Sequence, residues 1–161
     1  ADGTRSGIVL AQFVNSKTER GHSMATPTIL INLERCTGCW TCSMACKIGN
    51  KLPDDVWWQT VRTLGSGEGI DRPGGKWPNL HMSWLPVYNE DCIMCKGRTA
   101  KGEEPFCTDC CPTQAMIYGD IDDPQSELSQ MIEKLRDRDF RLFRLPSWES
   151  SRDNIVYASK D

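Results

Sequence analysis

Four cysteines fall in the stretch CTGCWTCSMAC: Cys36, Cys39, Cys42 and Cys46. A second group follows at Cys92, Cys95, Cys107, Cys110 and Cys111. These nine are all the cysteines of the chain. Thiols at such density hold one of three things: disulfides, zinc or iron–sulfur clusters. A disulfide framework would spread its cysteines through a shorter secreted chain, whereas here none precedes Cys36 or follows Cys111. Zinc sites present paired CxxC ligands, four to an ion. Three cysteines at two-residue spacing, then a fourth after three more residues, suit a cubane better. A tight loop brings three thiolates to three irons, and the fourth thiolate points away along the next helix. This is the run of bacterial two-cluster ferredoxins, whose fourth cysteine ligates the other cluster.

The second group repeats the pattern with eleven residues inserted between Cys95 and Cys107, where the first group has two. Both groups open with CxxC and close with a three-residue gap, Cys42 to Cys46 and Cys107 to Cys111. The crossing rule then assigns Cys36, Cys39, Cys42 and Cys111 to one [4Fe–4S] cluster. It assigns Cys92, Cys95, Cys107 and Cys46 to the other. Cys111 rather than Cys110 is the ligand, because it keeps the spacing and precedes Pro112. Cys110 reads as a small packing residue.

Neighbouring residues carry weaker signals. Gly38 would let the ligand loop approach the sulfurs, and loop N–H groups would tune the potential. Trp40 either screens the cluster from water or simply packs. Lys47, Lys96, Arg98 and Lys101 either offset cluster charge or are solvated. The six tryptophans read as packing groups, and His22 and His81 have no ligand partner in sequence. No catalytic site is evident: no GxGxxG, GxxxxGK[ST] or HExxH occurs. The paired carboxylates fall in turns.

The elements that must position these thiols are short. Residues 28–35 (TILINLER) read as a strand, 43–51 as a helix and 56–64 (VWWQTVRTL) as a second strand. Residues 65–79, rich in glycine and proline, predict a loop. Residues 80–88 read as a strand interrupted by Pro86, and 115–121 (AMIYGDI) as a returning strand. The clearest helix follows, with Asp123 as N-cap, Pro124 in the first turn, and Leu128, Met131, Ile132 and Leu135 at helical spacing. A possible strand, NIVYA, closes the chain. Strand, cysteine run, short helix and strand thus occur twice. The expected fold is α+β: a ferredoxin-like two-[4Fe–4S] domain with a pseudo-twofold repeat, plus N- and C-terminal arms. Its boundaries are an arm over residues 1–27, the two-cluster domain over 28–123, and a helix with an extended tail over 124–161.

The 161 residues carry a net charge of −3, which argues against a nucleic-acid partner. No apolar run reaches the length of a membrane span. The short apolar patch at residues 8–14 is flanked by polar residues and does not read as a signal peptide. A polar arm frays unless something holds it, which points to a partner.

Several stretches resemble one family. CTGCWTCSMACKIGN, LPDDVWWQTVRTLGSG and CIMCKGRTAKGEEPFCTDCCPTQAMIYGD are similar to segments of the iron–sulfur electron-transfer (beta) subunits of the dimethyl sulfoxide reductase, or molybdopterin oxidoreductase, family. The last stretch carries the family's Arg, Gly, Pro, Cys and CPT at Arg98, Gly102, Pro105, Cys107 and Cys111-Pro112-Thr113. GDIDDPQSELSQMI and RLFRLPSWESSRDNIVY resemble the family's next segments, so the likeness runs over residues 28–157.

The resemblance implies a non-catalytic subunit that relays electrons to or from a separate oxidoreductase subunit, a molybdenum or tungsten pterin enzyme. Family members commonly carry more cluster cysteines than are available here, so this would be a shortened two-cluster form. A different partner, such as a tungsten aldehyde oxidoreductase or a flavoprotein, also fits a short wire, as does an external electron carrier. Two other functions compete: a free, diffusible two-cluster ferredoxin, and a zinc-stabilised interaction module without redox chemistry. The expected location is cytoplasmic, or exported with a partner that bears a twin-arginine signal.

Overall fold

The computed structural model describes residues 26–64, 72–146 and 152–160. Residues 1–25 of the arm expected over 1–27, and residues 65–71 of the loop expected over 65–79, lie outside the described residues. The described residues form a mixed α+β structure of small sheets and short helices, compatible with a small ferredoxin-like domain.

β1 (Pro27–Asn32) passes through a 3-10 turn (Leu33–Arg35) into the first cysteine loop. Its alternating β-branched and long apolar residues suit a strand buried on both faces. α1 (Thr41–Gly49) follows, then β2 (Gln59–Thr63). The expected loop at 65–79 is partly structured: β3 (Gly74–Lys76) and β4 (Asn79–His81) pair as a small hairpin across Trp77-Pro78. The strand expected over 80–88 is therefore two, β4 and then β5 (Trp84–Tyr88). Pro86 does not break β5. It sits opposite Val61 of β2, and its carbonyl accepts a 2.7 Å hydrogen bond from the buried Tyr157 hydroxyl. Proline is tolerated here because β2 and β5 form a two-stranded sheet in which both strands are edges.

The second cysteine group carries two single-turn helices, α2 (Lys96–Thr99) and α3 (Phe106–Asp109), and leads into β6 (Met116–Asp120). α4 (Glu127–Arg136), β7 (Arg141–Phe143) and β8 (Ile155–Ser159) complete the chain. The α4 N-cap is Ser126, not Asp123 as expected: the Ser126 hydroxyl accepts from the Ser129 N–H at 3.1 Å. Asp123 instead accepts from the Gln125 N–H at 2.9 Å, closing the turn before it.

The main sheet runs β6-β1-β8-β7. β1 is antiparallel to β6 and parallel to β8, with Ile29 opposite both Tyr118 and Ile155. The closing strand thus lies inside the sheet, and Thr26 and Pro27 stand at its margin rather than in an arm. One face buries Ile29, Ile31, Ile155 and Tyr157 against Val61, Val87, Tyr88 and the cysteines Cys42, Cys92 and Cys107. The other buries Leu30, Val156 and Ala158 under Leu128, Ile132 and Leu135 of α4. Gly119 permits this second contact, since a Cβ there would lie 2.7 Å from that of Leu128.

Candidate metal centre

Each cysteine group is held in a loop that the backbone has to bend sharply. In the first, Gly38 and Trp40 take left-handed conformations, with φ of 65° and 60°. Glycine is required at 38, because a Cβ would lie 2.4 Å from the Trp84 indole. Trp40 adopts the same region with a side chain, a conformation that costs energy and is found where a loop is shaped for a task. It stands at the N-cap of α1. In the second loop Met94 and Cys95 play the corresponding part, with φ of 52° and 49°. α1 begins two residues before expected, at Thr41, so Cys42 and Cys46 both sit on it one turn apart. Its far end packs on α3, where Gly49 lets the Phe106 ring approach: a Cβ at 49 would lie 2.4 Å from it.

The thiols influence one another in a definite pattern. Burial pushes the Cys36 thiol up, and Cys111 and Cys39 add to the rise while the Gly38 N–H opposes it. Burial also raises Cys42, with a smaller push from Cys36. Cys46 is pushed up to about 12, first by burial and then by Cys92 and Cys95. Cys107 is raised by burial, with Cys92, Cys46 and Cys95 as its charged neighbours. Burial raises Cys92 too, and Cys95 adds to it. Cys39 departs from the rest: it is exposed, and hydrogen bonding to Thr41 lowers its thiol.

Cys36 thus neighbours Cys39, Cys42 and Cys111, while Cys46 and Cys107 neighbour Cys92 and Cys95. Cys42 also adds to the rise of Cys46, its neighbour one turn along α1. Cys110 is exposed at the C-cap of α3. The donor set is purely thiol, which favours iron–sulfur clusters or a thiophilic ion. Among the described residues, no three Cys, His, Asp or Glu side chains are drawn together as tightly as one metal ion would need.

Sequence reading missed the side chains that meet the sulfurs. The Asn50 amide donates to Cys46 Sγ at 3.6 Å and Cys95 Sγ at 3.7 Å. Tyr88 Oη, fully buried, donates to Cys107 Sγ at 3.6 Å. The positive charge of Arg152 opposes the rise of the Cys92 thiol. On the other side, the buried Gln59 carboxamide faces Cys42 and opposes its rise, without a regular partner of its own. The Ala115 N–H donates to Cys111 Sγ at 3.3 Å. No spacing rule marks these residues, because they reach the thiols only through the fold.

Two of the basic residues near the motifs have partners of their own. Lys47 donates to the carbonyls of Pro53, Asp54 and Val56 and lies 4.4 Å from the Trp57 ring centroid. Arg98 pairs with Asp109 at 2.9 Å and Glu103 at 3.3 Å, donates to the Glu104 carbonyl and covers the Phe106 ring. Arg98 thereby folds the insertion between Cys95 and Cys107. Trp40 is 41% exposed and packs edge-on against Trp57.

No family model matches the chain. Curated relatives do. The chain is 32% identical to the arsenate respiratory reductase iron–sulfur subunit of Shewanella sp. (strain ANA-3), over 64% of this chain and 52% of that one. It is 29% identical to a subunit of the polysulfide reductase of Wolinella succinogenes, over 60% of this chain and 78% of that one. It is 30% identical to a subunit of the anaerobic dimethyl sulfoxide reductase of Escherichia coli, over 53% of this chain and 37% of that one. The chain thus spans about half the length of the arsenate reductase subunit. The chain is thus homologous to subunits of arsenate, polysulfide and dimethyl sulfoxide reductases, the first of them named as an iron–sulfur subunit, as its cysteine motifs led us to expect.

Proposed function

We propose that this chain is an electron-transfer subunit that holds two [4Fe–4S] clusters and relays single electrons to or from a separate catalytic oxidoreductase. The observation that carries the reading is the grouping of Cys36 with Cys39, Cys42 and Cys111, and of Cys46 and Cys107 with Cys92 and Cys95, in a relative of iron–sulfur reductase subunits. One cluster would be held by Cys36, Cys39, Cys42 and Cys111, the other by Cys92, Cys95, Cys107 and Cys46. The reading includes a pseudo-twofold repeat, with which the strand pairing is consistent. In it β1, α1 and β2 would correspond to β5, α3 and β6; β1 pairs with β6 and β2 with β5. We keep residues 28–123 as the two-cluster domain and 124–161 as a covering segment.

When bound, the clusters would supply one-electron redox chemistry at potentials set by their surroundings. The chain does the rest. Buried thiols are costly to ionise, and a positive metal core offsets that cost, so the core selects metal over bare thiolates. α1 links the two sets: Cys42 and Cys46 are separated by about 6 Å of helix rise. Asn50 and Tyr88 hold the second set in the interior, while Cys39 brings the first set to the surface.

Beside Cys39, α1 presents Trp40, Met44 and Ile48 at four-residue spacing, exposed by 41%, 45% and 70%. An apolar stripe next to the exposed thiol supports docking onto a catalytic subunit, a molybdenum or tungsten pterin enzyme of anaerobic metabolism. Among the described residues no helix is long and apolar enough to cross a membrane. The complex would be cytoplasmic, or exported folded with its partner.

Anaerobic purification of the native chain with metal and sulfide analysis tests the reading. Iron and labile sulfide in equal amounts, matching two cubanes per chain, are expected. Zinc without iron or sulfide would overturn it.

A further inference from the structure

The hairpin of β3 and β4 forms a two-stranded sheet of its own, and every residue from Gly75 to Met82 is exposed. Two strands alone are marginal in water unless a further strand, helix or apolar face covers them. Large apolar side chains are among the residues left open. Trp77, in the two-residue turn between Lys76 and Asn79, is 84% exposed, and Leu80 and Met82 are exposed beside it. The hairpin is shaped by its own sequence: Gly75 takes φ of 84°, and a Cβ there would collide with the Asn79 carbonyl oxygen. The tryptophan is thus carried outward on a defined hairpin.

Charge and position indicate what covers it. Arg72, Lys76 and His81 lie on this segment, and no Asp or Glu occurs from Arg72 to Asn89, in a chain whose net charge is −3. Among the described residues no carboxylate pairs with Arg72 or Lys76. The ladder of β2 and β5 runs on to the base of the hairpin, where the Leu64 N–H donates to the Ser83 carbonyl at 2.8 Å. Trp84, the first residue of β5, lies against Gly38 of the first cysteine loop. His81, the last residue of β4, is three residues earlier, at most about 10 Å of chain away. The hairpin is therefore rooted at the loop that carries the exposed Cys39, beside which α1 presents Trp40, Met44 and Ile48.

We propose that the β3–β4 hairpin is a docking arm for the catalytic oxidoreductase subunit: Trp77 enters an apolar pocket of that partner, and Arg72 and Lys76 pair with carboxylates on the pocket's rim. Docking there holds the first cysteine set at the interface. This rests on the electron-transfer reading above. A tryptophan buried at the centre of a contact carries a large share of its affinity, and opposite charges speed and orient the encounter. A second copy of the chain, joined about a twofold axis, would set these cations against each other. A lipid surface would cover the hairpin but bring no redox centre to the exposed cysteine loop.

The test titrates the full cluster-loaded chain with the catalytic subunit that co-purifies with it, identified by its pterin and its molybdenum or tungsten. Trp77→Ala should raise Kd about tenfold or more. Arg72→Glu combined with Lys76→Glu should raise it similarly at low salt and less at high salt. Iron and sulfide per chain should match wild type in both, which separates lost docking from a damaged fold. Wild-type affinity in either variant would overturn the proposal. So would wild-type binding to phosphatidylglycerol vesicles, or to a second copy, that Trp77→Ala abolishes. A two-cluster chain that co-purifies with no pterin subunit would overturn the docking and leave the cluster reading intact. A chain without iron and sulfide would overturn the cluster reading, whereas the Kd ratios would still report on the hairpin.

Discussion

The Asn50 side-chain amide lies 3.7 Å from Cys95 Sγ, across 45 positions of sequence. The same nitrogen donates to the Cys46 carbonyl at 2.9 Å and to Cys46 Sγ at 3.6 Å. One residue therefore closes the end of α1 and ties that helix to the second cysteine loop. Asn50→Ala removes both functions, and the loss should destabilise the folded chain by about 1–2 kcal/mol. Bleaching of the cluster absorbance in guanidinium should shift to lower denaturant. An unshifted midpoint would show that the tie contributes nothing.

The crossed ligand assignment predicts which cysteines fall in the same class. Cys46→Ser should lose the same cluster as Cys95→Ser, although Cys46 belongs to the first motif. Cys111→Ser should match Cys39→Ser. Electron paramagnetic resonance of the four variants sorts them directly. If Cys46→Ser matched Cys39→Ser, each motif would hold its own cluster.

Cys110→Ser should retain both clusters, since Cys110 is exposed at the C-cap of α3 and none of the raised thiols counts it as a neighbour. Iron content equal to wild type is the expected result. Loss of a cluster would make Cys110, not Cys111, the ligand.

Tyr88→Phe removes the hydroxyl donor to Cys107 while preserving the buried ring. It should lower the potential of the second cluster and change stability by no more than about 1.5 kcal/mol. Burial holds the Tyr88 phenol well above the ordinary tyrosine range, reinforced by Cys107. A raised pKa keeps the neutral, donating form in place past the ordinary value of about 10. The difference between wild type and Tyr88→Phe should therefore stay constant from neutral to moderately alkaline pH. Potentials measured across that range would expose a titrating tyrosine as a converging pair of curves.

Gly38→Ala should damage the first cysteine loop twice over. It puts a Cβ at positive φ and against the Trp84 ring, at a cost of about 1–3 kcal/mol. The cluster of Cys36 should form poorly while that of Cys92 forms normally, which iron content and resonance signals would report. Equal loading of both clusters would show that Trp84 moves aside freely.

Much of the secondary structure was legible from local signals. The β-branched run at β1, the returning strand at β6 and the apolar spacing of α4 each record burial on a known face, and the structure places all three within a few residues of expectation. Two features were not. Asp123 resembles a cap as closely as Ser126 does, and only the geometry of the following turn selects between them. The hairpin of β3 and β4 lies in a glycine-rich stretch whose composition reads as loop, because such short strands bury too little to leave a pattern.

The cysteines follow the same division. Their number, spacing and repeat were written in the sequence, because a cluster loop needs thiols at fixed intervals along the chain, and that was enough to suggest iron–sulfur chemistry and the family. What surrounds each sulfur was not written there. Asn50, Tyr88 and Gln59 reach the thiols from other elements, at separations that no motif encodes. The parallel pairing of β8 with β1 sets Ile155 opposite Ile29, and both pack in the core that holds Cys92. Ligand identity is a local property of sequence, whereas the charge and hydrogen bonding around a ligand are sums over space, and only the tertiary structure performs that sum.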